Sequence, residues 1–213
     1  MYSTDNFAIS CSETDKNLFS IVFPYPCPVL CLSIVKSRII RGATITDNYK
    51  TVVFKACSVD TLHKVDTLQK VDTLHKVDTL QKRAAMALSL VIQLKYMVEE
   101  CSHSFLGYNR ENMVVVDGDK FLFLDSSLVY KISEDDMLTV TCPFDKDDFF
   151  LSPEMERVNV LPSYVHFKTA YYSLGLLFLS CFKEGERDKD TKLGYLIKRC
   201  LVKEPEKRSI LFI

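Results

Sequence analysis

The sequence predicts an α+β protein with a mainly helical C-terminal part and a reduced β region before it, and three segments carry that expectation. Residues 84–100 (AAMALSLVIQLKYMVEE) are apolar nearly all round, with Gln93 and Lys95 as the only strongly polar interruptions before the end. Such a helix is buried inside a protein. Residues 171–182 (YYSLGLLFLSCF) form a second segment of this kind. Between them, residues 113–116 (MVVV) and 121–124 (FLFL) flank Asp117-Gly118-Asp119-Lys120, so two short strand-like runs meet at an Asp-Gly turn signal and read as a hairpin.

Taken in order from the N-terminus, the chain adds smaller elements. Residues 18–35 (LFSIVFPYPCPVLCLSIV) carry no charge and approach the length of a membrane span. Pro24, Pro26 and Pro28 would remove helix hydrogen bonds in its middle, so a membrane anchor is not expected and the stretch reads as two short strands around an extended break. Thr51-Val-Val-Phe-Lys55 alternates as a strand should and ends on a lysine. Residues 59–82 are four copies of a hexapeptide, VDTLHK and VDTLQK in alternation. Asp60 with Lys64, and each later pair, has the i,i+4 order that favours a helix. Val and Leu recur every three residues, however, and never build one fixed apolar face. The copies read as a solvated insertion, and His63 and His75 within it are poor metal ligands. The expected segments are a remodelled or truncated N-terminal region (1–58), the repeat (59–82) and a helical lobe (83–213).

Composition sets the outer bounds. The chain has 213 residues, of which 47% are hydrophobic and 26% charged, enough for one sizeable core. A formal net charge of -1 gives no field to gather nucleic acid or anionic lipid, so nucleic acid is not an expected partner. Eight cysteines are scattered, and Cys27 with Cys31 lacks a second Cys or His pair at zinc-site spacing. They read as reduced thiols. The opening MYSTDNFAIS has no basic segment leading into an apolar run, and the expected location is the cytoplasm.

The chemistry-bearing residues sit at the hairpin. Asn112 precedes its first strand and Asp125 follows its second. An antiparallel pair brings these open ends together, where two oxygen-bearing side chains can share a hard cation such as magnesium. Asn and Asp at strand ends also serve as turn and capping residues.

The order of motifs resembles the helical lobe of protein kinases. A helix, then Tyr108-Asn-Arg-Glu-Asn112, the hairpin, and Leu124-Asp-Ser-Ser127 stand where that family has its catalytic loop, hairpin and DFG segment. Leu151-Ser-Pro-Glu154 resembles the APE motif, and Tyr171 to Leu177 resembles the central helix with its Ser-Leu-Gly run. Residues 197–208 (IKRCLVKEPEKR) resemble the terminal segment whose arginine pairs with the APE glutamate. The resemblance spans residues 84–213 and is nearest to kinase-like proteins of large DNA viruses, for which the location would be the host cytoplasm. It implies ATP and magnesium as cofactors, Asn112 and Asp125 as metal ligands, Lys55 as the counterpart of the VAIK lysine, and a structural ion pair between Glu154 and Arg208.

The same resemblance marks what is missing. Gly107 occupies the position of the catalytic base, Asn109 replaces the phosphate-contacting lysine, and Ala170 stands where an aspartate would brace the loop. A positioned base contributes about 10²- to 10⁴-fold, so its loss argues against efficient transfer. Gly42 is the only glycine before Gly107, which excludes a glycine-rich phosphate loop. Once the repeat is set aside, too little chain remains between Lys55 and Asn112 for the family's αC helix and hinge. The expected function is that of a pseudokinase acting by binding a protein partner, a kinase or a kinase substrate. Two alternatives stand beside it: an active serine/threonine kinase with Asp145, Asp147 or Asp148 as base, and a nonenzymatic interaction protein that uses the repeat.

Overall fold

The computed structural model describes residues 2–62, 80–144, 146–147, 149–181 and 191–211. It is an α+β structure, with five α-helices and several small antiparallel sheets among the described residues. Two compact units divide the chain, Met1–Cys101 with Arg110–Ser127, and Ser102–Asn109 with Leu128–Ile213. Their limits differ from the boundaries at 58 and 82 expected from sequence, because contact follows the strands: the hairpin and the long apolar helix pack with the N-terminal part.

In the first unit, short alternating runs form an antiparallel sheet. Its strands are β1 (Tyr2–Ser3), β2 (Ala8–Cys11), β3 (Leu18–Val22), β4 (Thr44–Thr46) and β5 (Thr51–Lys55), in the order β1-β2-β3-β5-β4. Val52 and Phe54 are buried, whereas Lys55 is exposed, as period-two alternation requires. The expected second strand within residues 18–35 is instead helix α1 (Pro28–Lys36). Pro28 stands at its first turn, where the missing N–H is no loss and the fixed φ suits a helix. Pro24 and Pro26 fall in the connection from β3, not within the helix.

Helix α2 (Leu80–Cys101) begins in the last residues of the repeat and packs against α1 and the hairpin. The first residues of the repeat form β6 (Val59–Thr61), which pairs with β8 of the hairpin in the sheet β6-β8-β9. The remainder of the repeat, with His63 and His75, lies outside the described residues. The hairpin joins β8 (Met113–Val116) to β9 (Lys120–Phe123). At its turn, Asp117 and Gly118 have φ of 53° and 75°, a left-handed pair that glycine makes accessible. The Asp117 carboxylate also accepts from the backbone N–H groups of Cys57 (2.7 Å) and Ser58 (3.3 Å), fastening the start of β6 to the turn.

The second unit carries more strand than its sequence suggested. β7 (His103–Phe105) pairs with β10 (Val129–Lys131), and β11 (Met137–Val140) with β12 (Ser163–His166). Each run is three or four residues long, too short for periodicity to reveal. The helices are α3 (Pro153–Glu156), α4 (Thr169–Ser180) and α5 (Lys192–Cys200). A Cβ added to Gly175 on α4 would lie 2.7 Å from the Cys200 Cβ, so the glycine is what lets α4 and α5 approach this closely. Among the described residues, no helix is long and apolar enough to cross a membrane.

Candidate functional site

The hairpin places Asn112 and Asp125 together at its open end because the β8–β9 register pairs Met113 with Phe123. The Leu124 N–H extends the ladder to the Asn112 carbonyl at 2.9 Å. Both side chains are buried, Asp125 at 1% exposure. The Asn112 Nδ2 donates to Asp125 Oδ2 at 2.7 Å. Asp125 Oδ1 accepts from the Ser127 backbone N–H at 3.0 Å and from its hydroxyl at 2.6 Å. Both carboxylate oxygens are therefore engaged by protein donors, and three short polar residues bond to one another at the hairpin mouth.

In this arrangement the protein's own donors occupy the Asp125 carboxylate oxygens. A hard cation needs carboxylate and carbonyl oxygens facing a common point. Here the Asn112 amide turns its NH₂ toward Asp125, the geometry of a latch. Among the described residues, no three His, Cys, Asp and Glu side chains are grouped to hold a metal ion.

Lys55 stands away from this mouth. It lies two residues before Cys57, whose N–H binds Asp117 at the closed end of the hairpin. The length of β8 separates the two ends, roughly 13 Å for four strand residues. The Lys55 ammonium meets Asp15 at 3.5 Å, with most of its side chain exposed.

Gly107 occupies a confined position in the second unit. An isolated antiparallel bridge joins its neighbour Tyr108 to Phe150, with the Phe150 N–H donating to the Tyr108 carbonyl at 2.7 Å. A Cβ at Gly107 would lie 2.8 Å from Leu151 Cδ2 and 3.2 Å from the Phe150 carbonyl oxygen. Even a methyl group is crowded. Asn109 and Ala170 are also buried. Of the three candidate replacement bases, Asp147 belongs to this unit, while Asp145 and Asp148 lie outside the described residues.

Glu154 and Arg208 meet in a two-pronged ion pair, Nη1 to Oε1 and Nη2 to Oε2, the latter at 2.9 Å. Ser152 caps α3 and so presents Glu154 in its first turn. The Arg208 side chain has no exposed surface. Its remaining N–H groups reach the carbonyls of Val202 (2.8 Å), Lys168 (3.2 Å) and Lys203 (3.0 Å), and its guanidinium carbon lies 4.9 Å from the Tyr172 ring centroid. Burial raises the Glu154 pKa, but the bonds from Arg208 outweigh it and hold the carboxyl below its ordinary value of 4.5.

Two contributors escaped the sequence. Ser127 looked like a remnant of a motif and is the donor that completes the latch. Gln93 looked like an interruption of an apolar helix; its amide donates to the Phe123 carbonyl (2.9 Å) and accepts from the Phe123 N–H (3.0 Å), behaving as a short extra strand beside β9. A lone buried amide within an apolar helix is the signal that could have marked it. No protein-family model and no curated protein matches this chain.

Proposed function

We propose that the chain is a kinase-like protein that does not transfer phosphate and acts by binding a protein partner, an active kinase or a kinase substrate. The packing around Gly107 carries this reading. A base lost by a single substitution would leave space for the side chain it replaced. Here Leu151 and the Phe150 carbonyl fill that space, so the local backbone and the segment before α3 have settled into an arrangement without a base. The closed hydrogen-bond set of Asn112, Asp125 and Ser127 supports the same conclusion at the position where the resemblance expects metal ligands. Glu154 with Arg208 keeps a tether that would hold a binding surface in shape without chemistry.

A phosphotransfer assay on generic protein substrates, run beside thermal melting with ATP and magnesium, tests this. The expected outcome is no transfer and no nucleotide-dependent rise in melting temperature. Phosphotransfer that disappears in Asp125→Ala would sink the proposal, because it would require Asp125 to leave the latch and hold a metal.

A further inference from the structure

Helix α5 packs its apolar side, Leu193, Leu196, Ile197 and Cys200, inward and beside α4. Its other side carries Lys192, Tyr195, Lys198 and Arg199, with no acidic residue anywhere along the helix. Leu196 floors a groove of about 290 Å³ that Lys192, Tyr195, Arg199 and Leu211 surround. Leu211 is 62% exposed and Tyr195 51%, an unusual state for two large apolar bodies placed side by side. Neither Lys192 nor Arg199 has an acidic partner among the described residues. In a chain whose formal net charge is -1, this face has the opposite sign to the whole.

We propose that this groove docks an acidic peptide segment of a protein partner, with one apolar side chain of the peptide between Tyr195 and Leu211 and its carboxylates on Lys192 and Arg199. The charge points to an anionic ligand, since among the described residues neither cation has an acidic counterpart. The aliphatic floor and wall decide that it is more than an anion, because a free phosphate would leave Leu196 and Leu211 uncovered. Single-stranded nucleic acid is the competing ligand for a basic surface with an aromatic ring, but such binding uses successive aromatic platforms, and among the described residues Tyr195 is the one aromatic ring lining this groove. None of Gly107, Asn112 or Asp125 takes part, so the docking site stands or falls independently of whether the chain transfers phosphate.

Fluorescence anisotropy of a dye-labelled, glutamate-rich peptide carrying one phenylalanine, titrated with the full chain, tests the site. Saturable binding is expected, weakened about tenfold or more by the double substitution K192E/R199E. Raising salt from roughly 0.05 to 0.5 M should weaken it as well. Replacing the peptide's phenylalanine by serine, or Leu211 by Asp in the chain, should each weaken binding, the first with the protein untouched. Melting curves of the variants should match the parent, since Lys192 and Leu211 are exposed and Arg199 is not buried. Absence of saturable binding to the peptide, equal binding by K192E/R199E, or tighter binding of an oligothymidine that K192E/R199E abolishes would each overturn the proposal.

Discussion

A guanidinium with no exposed surface is tolerable only when all of its N–H groups find acceptors, and Arg208 meets that condition through one carboxylate and three backbone carbonyls. Removing Glu154 leaves a fully buried guanidinium without its carboxylate, and removing Arg208 leaves the half-buried Glu154 carboxylate and the carbonyls of Val202, Lys168 and Lys203 without their donor. Arg208→Ala is therefore expected to destabilise the fold by about 3–5 kcal/mol in denaturant unfolding. Arg208→Lys should recover little of this, because an ammonium cannot fork across both Glu154 oxygens or reach the carbonyls of Val202, Lys168 and Lys203 at once. At Gly107 the expectation concerns restoration. Gly107→Asp should give no phosphotransfer and a lower melting temperature than the parent, since its Cβ would meet the Phe150 carbonyl oxygen at 3.2 Å as well as Leu151 Cδ2 at 2.8 Å. Phosphotransfer by that variant would mean that Leu151 yields easily and that the base was the only missing part.

At the scale of elements, the hairpin is the best case of structure written in local sequence. Asp117-Gly118 between two apolar runs specifies its turn, and the turn fixes the register that brings Asn112 to Asp125. What holds the hairpin in place was not legible, because each partner is distant in sequence. β6 lies within the repeat, where four copies offer the same VDT and the first of them pairs with β8. The helix within residues 28–36 was hidden by prolines that read as breakers until Pro28 is seen at the first turn. Gln93 joins α2 to β9 through both Phe123 backbone groups and to α1 through the Ser33 hydroxyl at 3.4 Å. Gln93→Leu keeps the helix but strands two buried backbone groups, at roughly 1–3 kcal/mol for each. Hydrogen exchange should then show the Phe123 amide losing protection while Val52 in the neighbouring sheet keeps it. Unchanged protection at Phe123 would show that another acceptor can replace the amide.

For the whole molecule, acid is the informative stress. Burial pushes the Asp117 carboxyl up, but the N–H groups of Cys57 and Ser58 and the Lys120 ammonium overcome this and hold it below 3.8; Glu154 is likewise held below 4.5 by Arg208. An unfolded chain takes up these protons at a higher pH than the folded one. Stability contributed by the two groups is thus complete above their ordinary values and lost as pH falls through the depressed ones. Urea midpoints measured across that range should decline toward acid, and the decline should be shallower in Glu154→Gln, which starts lower and has one fewer carboxylate to protonate. A slope unchanged by that substitution would assign the acid sensitivity elsewhere.

The chain passes from one unit to the other at residues 101–102, returns at 109–110 and leaves again at 127–128. Neither unit is therefore one continuous stretch of polypeptide, and no single truncation isolates either. A fragment ending at Cys101 would keep β6 and α2 but discard β8 and β9, leaving an exposed ladder edge and Gln93 facing no strand. Dissection of this protein calls for grafting residues 110–127 onto residues 1–101 through a short linker.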